Sequence, residues 1–421
     1  LMPATIPPLN ETIFSAVETL SQQPKIAAAM KLAKDEADRA LKEQIALCEI
    51  PAPTFEESVR AAEIERRMKE YGLTDVVIDE IGNVVGRLKG SGNGPVLALG
   101  AHMDTVFPAG TDVKVRVEGN RYSAPGIGDN CSGLRALLQV LRCFTETGIT
   151  PMGDLIFVAT VGEEGNGDTR GSKFFNSHNH VDGFVAIDNT EVGRILHSAV
   201  GSHRWRLSID GKGGHSFAAY GSTPSAIHAM CLAGAKMTLI KTPKDPKTTF
   251  TIGTIKGGTS VNTIAPHCEV DVDMRSLDNE ELLKLEKAVL ACFDEAVKEE
   301  NANWEVTDPS KLLTLTKTQI GDRPAGRRPH ECPVLQTSRS ALKVLGLPLT
   351  NYGFSSTDAN YPVSLGIPAT CLSSGGVQAN AHTVKEYFDN IDPHYGPQLI
   401  FLTAAALVGT EYAEAILPKR G

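Results

Sequence analysis

A handful of side chains in this sequence have the types and spacing to hold a cation. His102 and Asp104 close the run VLALGAHMD, two residues apart and so on one face of a strand. Asp129 stands in APGIGDNCSG just before a helical pattern. Glu163 and Glu164 follow DLIFVATVG directly, Asp188 ends GFVAID, and His382 lies in AHTVKEYF. Adjacent carboxylates repel one another, and burial raises the cost. A Glu-Glu pair at the end of an apolar run therefore means either a solvated loop or positive charge at that point. Taken singly, an Asp at a strand end caps a helix and a His is a satisfied polar group. Five such loops at one rim of one sheet are hard to explain as caps. Mixed His and carboxylate ligation suits Zn²⁺, with Mn²⁺ or Co²⁺ as substitutes.

The elements that must position these groups follow from the patterning. PVLALGAHMD, DLIFVATVG, GFVAIDN and PATCLSS are short, nearly all-apolar runs, whereas SGLRALLQVLRCF and PQLIFLTAAALVGTEYAEAIL have helical periodicity. Buried strands alternating with helices indicate an α/β fold, a doubly wound mixed or parallel sheet with ligand groups beyond the strand ends. Upstream, KIAAAMKLAKDEADRALKEQIALCEI reads as helix, PAPT breaks it, and FEESVRAAEIERRMKEYG is a second amphipathic helix ending at Gly72.

The middle of the chain reads differently. HRWRLSIDGKG, TPSAIHAMCLAGAKMTLI, TTFTIGTIKGG, HCEVDVDMRS, NEELLKLEKAVLACFDEAVKEE and ANWEVTD give the order β-α-β-β-α-β, a ferredoxin-like α+β unit. Val270, Val272 and Met274 share one face of its third strand, and Glu269, Asp271, Asp273 and Arg275 the other. The expected organisation is a larger domain formed by 1–197 and 314–421, with the ferredoxin-like domain inserted at 198–313.

Composition excludes other classes. The 421 residues are 41% hydrophobic with a formal charge of -9 and no long basic run, which argues against nucleic acid or an anionic membrane as partner. No apolar stretch reaches the roughly 18 residues of a membrane span. The eight cysteines are scattered without a C-x-x-C pair and read as reduced core residues, so a cytoplasmic setting is expected. The chain opens LMPATIPP rather than on an initiator Met, an opening that also fits a removed signal peptide. The glycines of GIGDN do not match the dinucleotide fingerprint.

At this point the sequence resembles the co-catalytic dizinc peptidase family that contains glutamate carboxypeptidase, peptidase T and acetylornithine deacetylase. The resemblance rests on GAHMDTV, APGIGDNCSG, VGEEGNGDTRGS, AIDN, GKGGHS, GGTSVNTIAP, DVDMRS, SSTDANY and AHTVKEYF, in the family's order over roughly residues 96–388. It implies two zinc ions per chain. His102 and Asp188 would hold one, Glu164 and His382 the other, and Asp129 would bridge both. It makes Asp104 the partner that orients His102, and Glu163 the general base rather than a ligand. His215, in GKGGHS, becomes an oxyanion donor, where the residues alone suggest a surface-turn His. Arg275 and Asn262 become grips for a substrate carboxylate or carbonyl, where Arg275 alone reads equally as part of a charge ladder with Asp271 and Asp273. The turn SSGG would offer the backbone of Gly375 and Gly376 to substrate. The family's cis peptide after the bridging Asp would fall at Asp129–Asn130. Where the family often has a second Asp or a nearby Lys, this chain has Asn130-Cys131, which bears on substrate preference.

The expected function is metal-dependent hydrolysis of small di- or tripeptides with a free carboxylate, by a homodimer joined through the inserted dimerisation or lid domain. An N-acyl-amino-acid deacylase is the alternative within enzymes, and a non-catalytic metal-binding protein the alternative outside them. Retention of Glu163 argues against the latter, because a pure binder has no use for a base beside the metal.

Overall fold

Apolar side chains on both sides of a strand require cover on both faces. In the computed structural model, which describes residues 6–421 apart from 93, 305 and 307, the strand Val96–His102 meets that requirement. Leu97, Leu99 and Ala101 enter one core while Ala98 enters a second; along Asp154–Thr160, Leu155, Phe157 and Ala159 face the first core and Ile156 and Val158 the second. The helices Cys131–Thr145 and Tyr395–Val408 fill the first core, and Phe175 of Arg170–His178 and Val363 of Asn360–Ser364 fill the second.

The sheet has six strands, in the order Asp75–Ile78, Val84–Leu88, Asp154–Thr160, Val96–His102, Gly183–Ile187 and Ala369–Leu372. The last four run parallel, and the first two add an antiparallel edge. Register aligns the carboxyl ends: His102 lies opposite Thr160, and Leu372 opposite Ile187. The segments that leave these ends carry Asp104, Glu163 with Glu164, Asp188 and the Ser373–Gly376 turn to one rim.

The chain divides into two compact units, residues 1–199 with 327–421, and residues 200–326. The second unit has a four-stranded antiparallel sheet in the order Thr248–Gly257, His267–Ser276, Gly201–Asp210, Thr314–Arg323, with Ala226–Met237 and Asn279–Ala302 packed on it. This is the β-α-β-β-α-β arrangement. Its fourth strand is not at ANWEVTD: residue 302 ends the second helix, Glu305 and Thr307 lie outside the described residues, and the strand is Thr314–Arg323. The unit therefore extends past 313 to 326, because Thr314–Arg323 pairs with Gly201–Asp210.

Three further differences from the sequence reading have local causes. The long N-terminal helix is two helices, Pro24–Asp35 and Ala37–Cys48, that bend at Glu36. The bend turns the Glu36 carboxylate inward onto the fully buried Arg142 guanidinium (2.8 and 3.0 Å), which also meets Glu43 (2.9 Å). The C-terminal helix stops at Val408, where Gly409 takes φ +74° and a side chain would strike the Ala415 backbone at 2.7 Å. Every cysteine is a free thiol, but Cys231 is exposed rather than in a core.

The Glu36–Arg142–Glu43 group is a buried ionic network, and removing its fully buried cation leaves Glu36 only the half-exposed Arg39 (3.5 Å) and Glu43 only Arg67 (3.0 Å) as cationic partners. Arg142→Leu should destabilise the fold by about 3–5 kcal/mol. Arg39→Ala, at a half-exposed Arg that pairs with Glu36 and Glu146, should cost less than about 1 kcal/mol. Urea-unfolding midpoints of the two variants would test the contrast, and equal shifts would contradict it.

Candidate metal centre

The rim of the parallel strands gathers the groups singled out in the sequence. His102, Asp129 and Asp188 each offer a ligand atom within 4.8 Å of the others, as do Asp129, Glu164 and His382, and as do His102, Glu163 and Glu164. Asp129 belongs to two of these sets, and its two oxygens separate them. Oδ1 lies 3.2 Å from His102 Nε2, and Oδ2 lies 3.0 Å from His382 Nε2. A second carboxylate, Glu164, reaches His382 Nε2 at 2.9 Å.

Backbone geometry aims these side chains. The His102 ring places Nδ1 3.0 Å from the Asp104 carbonyl and 3.5 Å from its carboxylate. Donation there leaves Nε2 as the acceptor nitrogen facing Asp129, the tautomer a metal ligand needs. The Asp104 carboxylate is fully buried and accepts from the N–H of Glu163 (2.9 Å), the N–H of Glu164 (3.0 Å) and the Thr54 hydroxyl (2.8 Å). One residue thus fixes both the His102 ring, through its carbonyl, and the turn that carries the Glu-Glu pair, through its carboxylate. The Asp129–Asn130 peptide is cis, as the resemblance implies, and Asn130 Nδ2 donates to the Ile187 carbonyl at 2.8 Å. His382 (φ +65°) and Asn189 (φ +77°) hold left-handed backbone that a side chain disfavours. Such strain survives where surrounding structure enforces it, and it concentrates at functional sites.

The electrostatics call for positive charge. Burial pulls the His102 imidazole down, but its bonds to Asp104 and Asp129 outweigh that and hold it well above its ordinary value. Hydrogen bonds to the carboxylates of Asp129 and Glu164 push His382 up to about 10. Burial would raise Asp129, yet the same two rings hold it below the usual carboxylate range. Asp188 is raised, first by burial and next by the charge of Asp129. Among the described residues no Lys or Arg forms an ion pair with Asp129, Glu164 or Asp188. Carboxylates crowded this closely in a low-dielectric site are stable only with cations among them. Two His nitrogens, with carboxylate oxygens between and around them, fit divalent ions that accept mixed nitrogen and oxygen ligands.

The remaining expected site residues divide. Gly375 (φ +79°) and Gly376 (φ +84°) are glycines for packing reasons. A side chain on the first would strike the Pro393 carbonyl at 2.5 Å, and one on the second the Phe388 ring at 2.3 Å. The adjoining Ser374 carbonyl accepts from Arg135 at 2.6 Å. In the second unit, His215 and Asn262 are brought together by a short ladder that pairs His215 with Thr263. The Ser216 N–H donates to the Asn262 carbonyl at 2.9 Å. The Phe217 and Ala218 N–H groups point to His215 Nδ1 (3.3 and 3.4 Å), which leaves Nε2 as the protonated nitrogen. Arg275 sits on another strand, in a ladder in which Asp273 takes Arg275 (2.7 Å) and Arg204 (3.0 Å) while Asp271 takes Arg206 (2.8 Å). Sequence reasoning passed over Thr54 and Glu386, both of which bind the metal-centre loops. The only signal for Glu386 was its place in AHTVKEYF, four residues after His382.

Known proteins resemble this chain over much of its length. Residues 83–227 match the model described as Peptidase family M28, and residues 197–301 match that of the Peptidase dimerisation domain. The chain is 28% identical over 363 residues to the uncharacterised protein YqjE of Bacillus subtilis (strain 168), covering 83% of this chain and 92% of that one. It is 27% identical over 283 residues to carboxypeptidase G2 of Pseudomonas sp. (strain RS-16), covering 64% and 67%. A tripeptidase from Staphylococcus aureus has the same fold, with a TM-score of 0.73 at 25% identity over 87% of this chain and 97% of that one.

Because Asp129 is shared by the set with His102 and Asp188 and the set with Glu164 and His382, its loss should be felt at both. Metal analysis of protein purified without chelator should give about two divalent ions per chain. Asp129→Asn should lose both and His382→Ala one. Full occupancy in Asp129→Asn would show that its carboxylate is not shared.

Proposed function

We propose, for a chain that belongs with the co-catalytic metallopeptidases and counts carboxypeptidase G2 among its relatives, that it hydrolyses the amide bond of small peptides at the Asp129 centre. The observation that carries this reading is the pair of imidazoles held on opposite oxygens of Asp129, with Glu163 beside Glu164 in the same cluster. His102 and Asp188 would hold one ion, Glu164 and His382 the other, and Asp129 would contribute to both. Zn²⁺ suits this donor set, with Mn²⁺ or Co²⁺ as substitutes. When bound, such ions supply Lewis acidity, polarising the scissile carbonyl and acidifying water.

The chain's own groups do the rest. Glu163 accepts a proton from the water whose oxygen attacks the carbonyl carbon. It then delivers that proton to the amide nitrogen as the C–N bond breaks, and the acid so formed passes its remaining proton to the amine, leaving a carboxylate and an ammonium group. Asp104 serves both partners of that step: it orients the His102 ring and, through two backbone N–H bonds, the turn that carries Glu163. In the second unit the His215 Nε2–H is free of the local turn and suits donation to the oxyanion. Asn262 and Arg275 are candidate contacts for the substrate's polar ends, and the Gly375–Gly376 turn for its backbone. The substrate class is a di- or tripeptide with a free carboxylate. Release of free amino acids from tripeptides supports it, and release of acyl groups alone would replace it with the deacylase reading. The match of residues 197–301 to a dimerisation domain supports a two-fold homodimer through the inserted unit.

Base and ligand are separable. Glu163→Gln should keep both ions while kcat falls by about 10²–10⁴-fold; Glu164→Gln should lose metal as well. Near wild-type kcat in Glu163→Gln would reject the base assignment.

The origin of His215 is testable by subunit mixing. Inactive His215→Ala and Glu163→Gln chains, allowed to exchange, should regain activity if His215 serves the partner's site, because one site per mixed dimer then has both groups. A mixture that stays inactive assigns His215 to its own chain, and a monomer by sedimentation removes the cross-subunit version.

A further inference from the structure

Glu386 is a fully buried carboxylate that accepts hydrogen bonds from three backbone amides. Its Oε2 accepts from the Gly126 N–H at 2.8 Å, and its Oε1 from the Gly128 N–H at 2.9 Å and the Asp129 N–H at 2.8 Å. No Lys or Arg forms an ion pair with it among the described residues. A carboxylate taken out of water without a counter-charge is costly, and three amide donors are the arrangement that makes it tolerable.

The position of Glu386 gives that arrangement a use. It follows His382 by four residues and immediately precedes the strand Tyr387–Asp389, which pairs with Arg121–Ser123, the strand that leads into the Asp129 loop. The two segments are already joined without it, through that pairing and through Arg121, which grips Asp389 at 2.7 and 2.8 Å. What Glu386 adds is a hold on the last residues before the ligand. The loop has no slack to take up a lost bond. Gly126 turns at φ +80°, with a Cβ position only 2.7 Å from Thr105 Cγ2, and a Cβ on Gly128 would strike Gln378.

We propose that Glu386 is a positioning residue that sets the spacing between Asp129 and His382, and through it the affinity of the centre for its ions. It touches neither ion nor substrate. Its hydrogen bonds orient the peptide that carries Asp129, so that one carboxylate oxygen faces His102 and the other His382.

This inference rests on the metal-centre reading above. The test is a Co²⁺ titration of the metal-free full chain, followed by visible absorption and by chelator competition. Glu386→Gln, which turns an amide NH₂ toward backbone donors, should weaken ion binding by about 10–100-fold and alter the Co²⁺ spectrum. Asp389→Asn, which loosens the same strand pair without touching the Asp129 loop, should leave both unchanged. If Glu386→Gln fails to fold, Glu386→Asp is read the same way, since it keeps the charge and withdraws it by one methylene. Unchanged affinity and spectrum in a folded Glu386 variant would overturn the proposal. So would equal losses in Asp389→Asn, or failure of both Glu386 variants to fold, since either outcome makes the role purely structural. Wild-type chains that take up no Co²⁺ would instead remove the metal-centre reading itself.

Discussion

The carboxylate of Asp129, gripped on one oxygen by His102 and on the other by His382, is the contact on which the rest of the structure turns. It brings together residues from opposite ends of the chain in a site that also contains Glu163, Glu164 and Asp188. Like charges at this spacing in a low-dielectric rim are unstable alone. The raised His102 and His382 rings are responses to one excess of negative charge, which adds to burial in raising the Asp188 carboxyl. Divalent cations answer that excess more completely than protons do, because each carries two charges and accepts several oxygens at once.

Everything around the contact serves to keep it from relaxing. Four parallel strands, buried on both faces, end in register and fix the starting points of three ligand-bearing segments. Asp104 then fixes the His102 tautomer through its backbone carbonyl and the Glu-Glu turn through its carboxylate. Glu386 does the equivalent for the Asp129 loop. The pattern is consistent: acidic side chains behind the centre accept backbone N–H groups, and acidic side chains within it are left to face cations. Burial separates the two roles less than hydrogen-bond donors do, since both kinds of carboxylate are buried.

Much of this was legible in the sequence because it is written locally. An apolar run that stops at a carboxylate or His reports both a buried strand and a polar rim, which is how His102, Glu164 and Asp188 stand out. Separating Glu163 from Glu164 needed the family resemblance, since the two are chemically alike and adjacent. What escaped notice is encoded between distant residues. Thr314–Arg323 is too polar to announce a strand and becomes one by pairing with Gly201–Asp210. The bend at Glu36 contains no Gly or Pro, and the residue it lets Glu36 meet, Arg142, is over a hundred positions away. Glu386 lies within AHTVKEYF, but nothing in that motif tells of its partners, which are backbone amides some 257 residues earlier, and any sequence supplies amides.

The central claim is that Asp129 is shared between two cations. Anomalous difference maps from crystals grown with Zn²⁺ and collected at the zinc edge test it most directly. The account predicts two peaks about 3.5–4 Å apart, one beside His102 and Asp188 and one beside Glu164 and His382, with Asp129 between them. A single peak that leaves one oxygen of Asp129 without a metal, or peaks only at other residues, would contradict it.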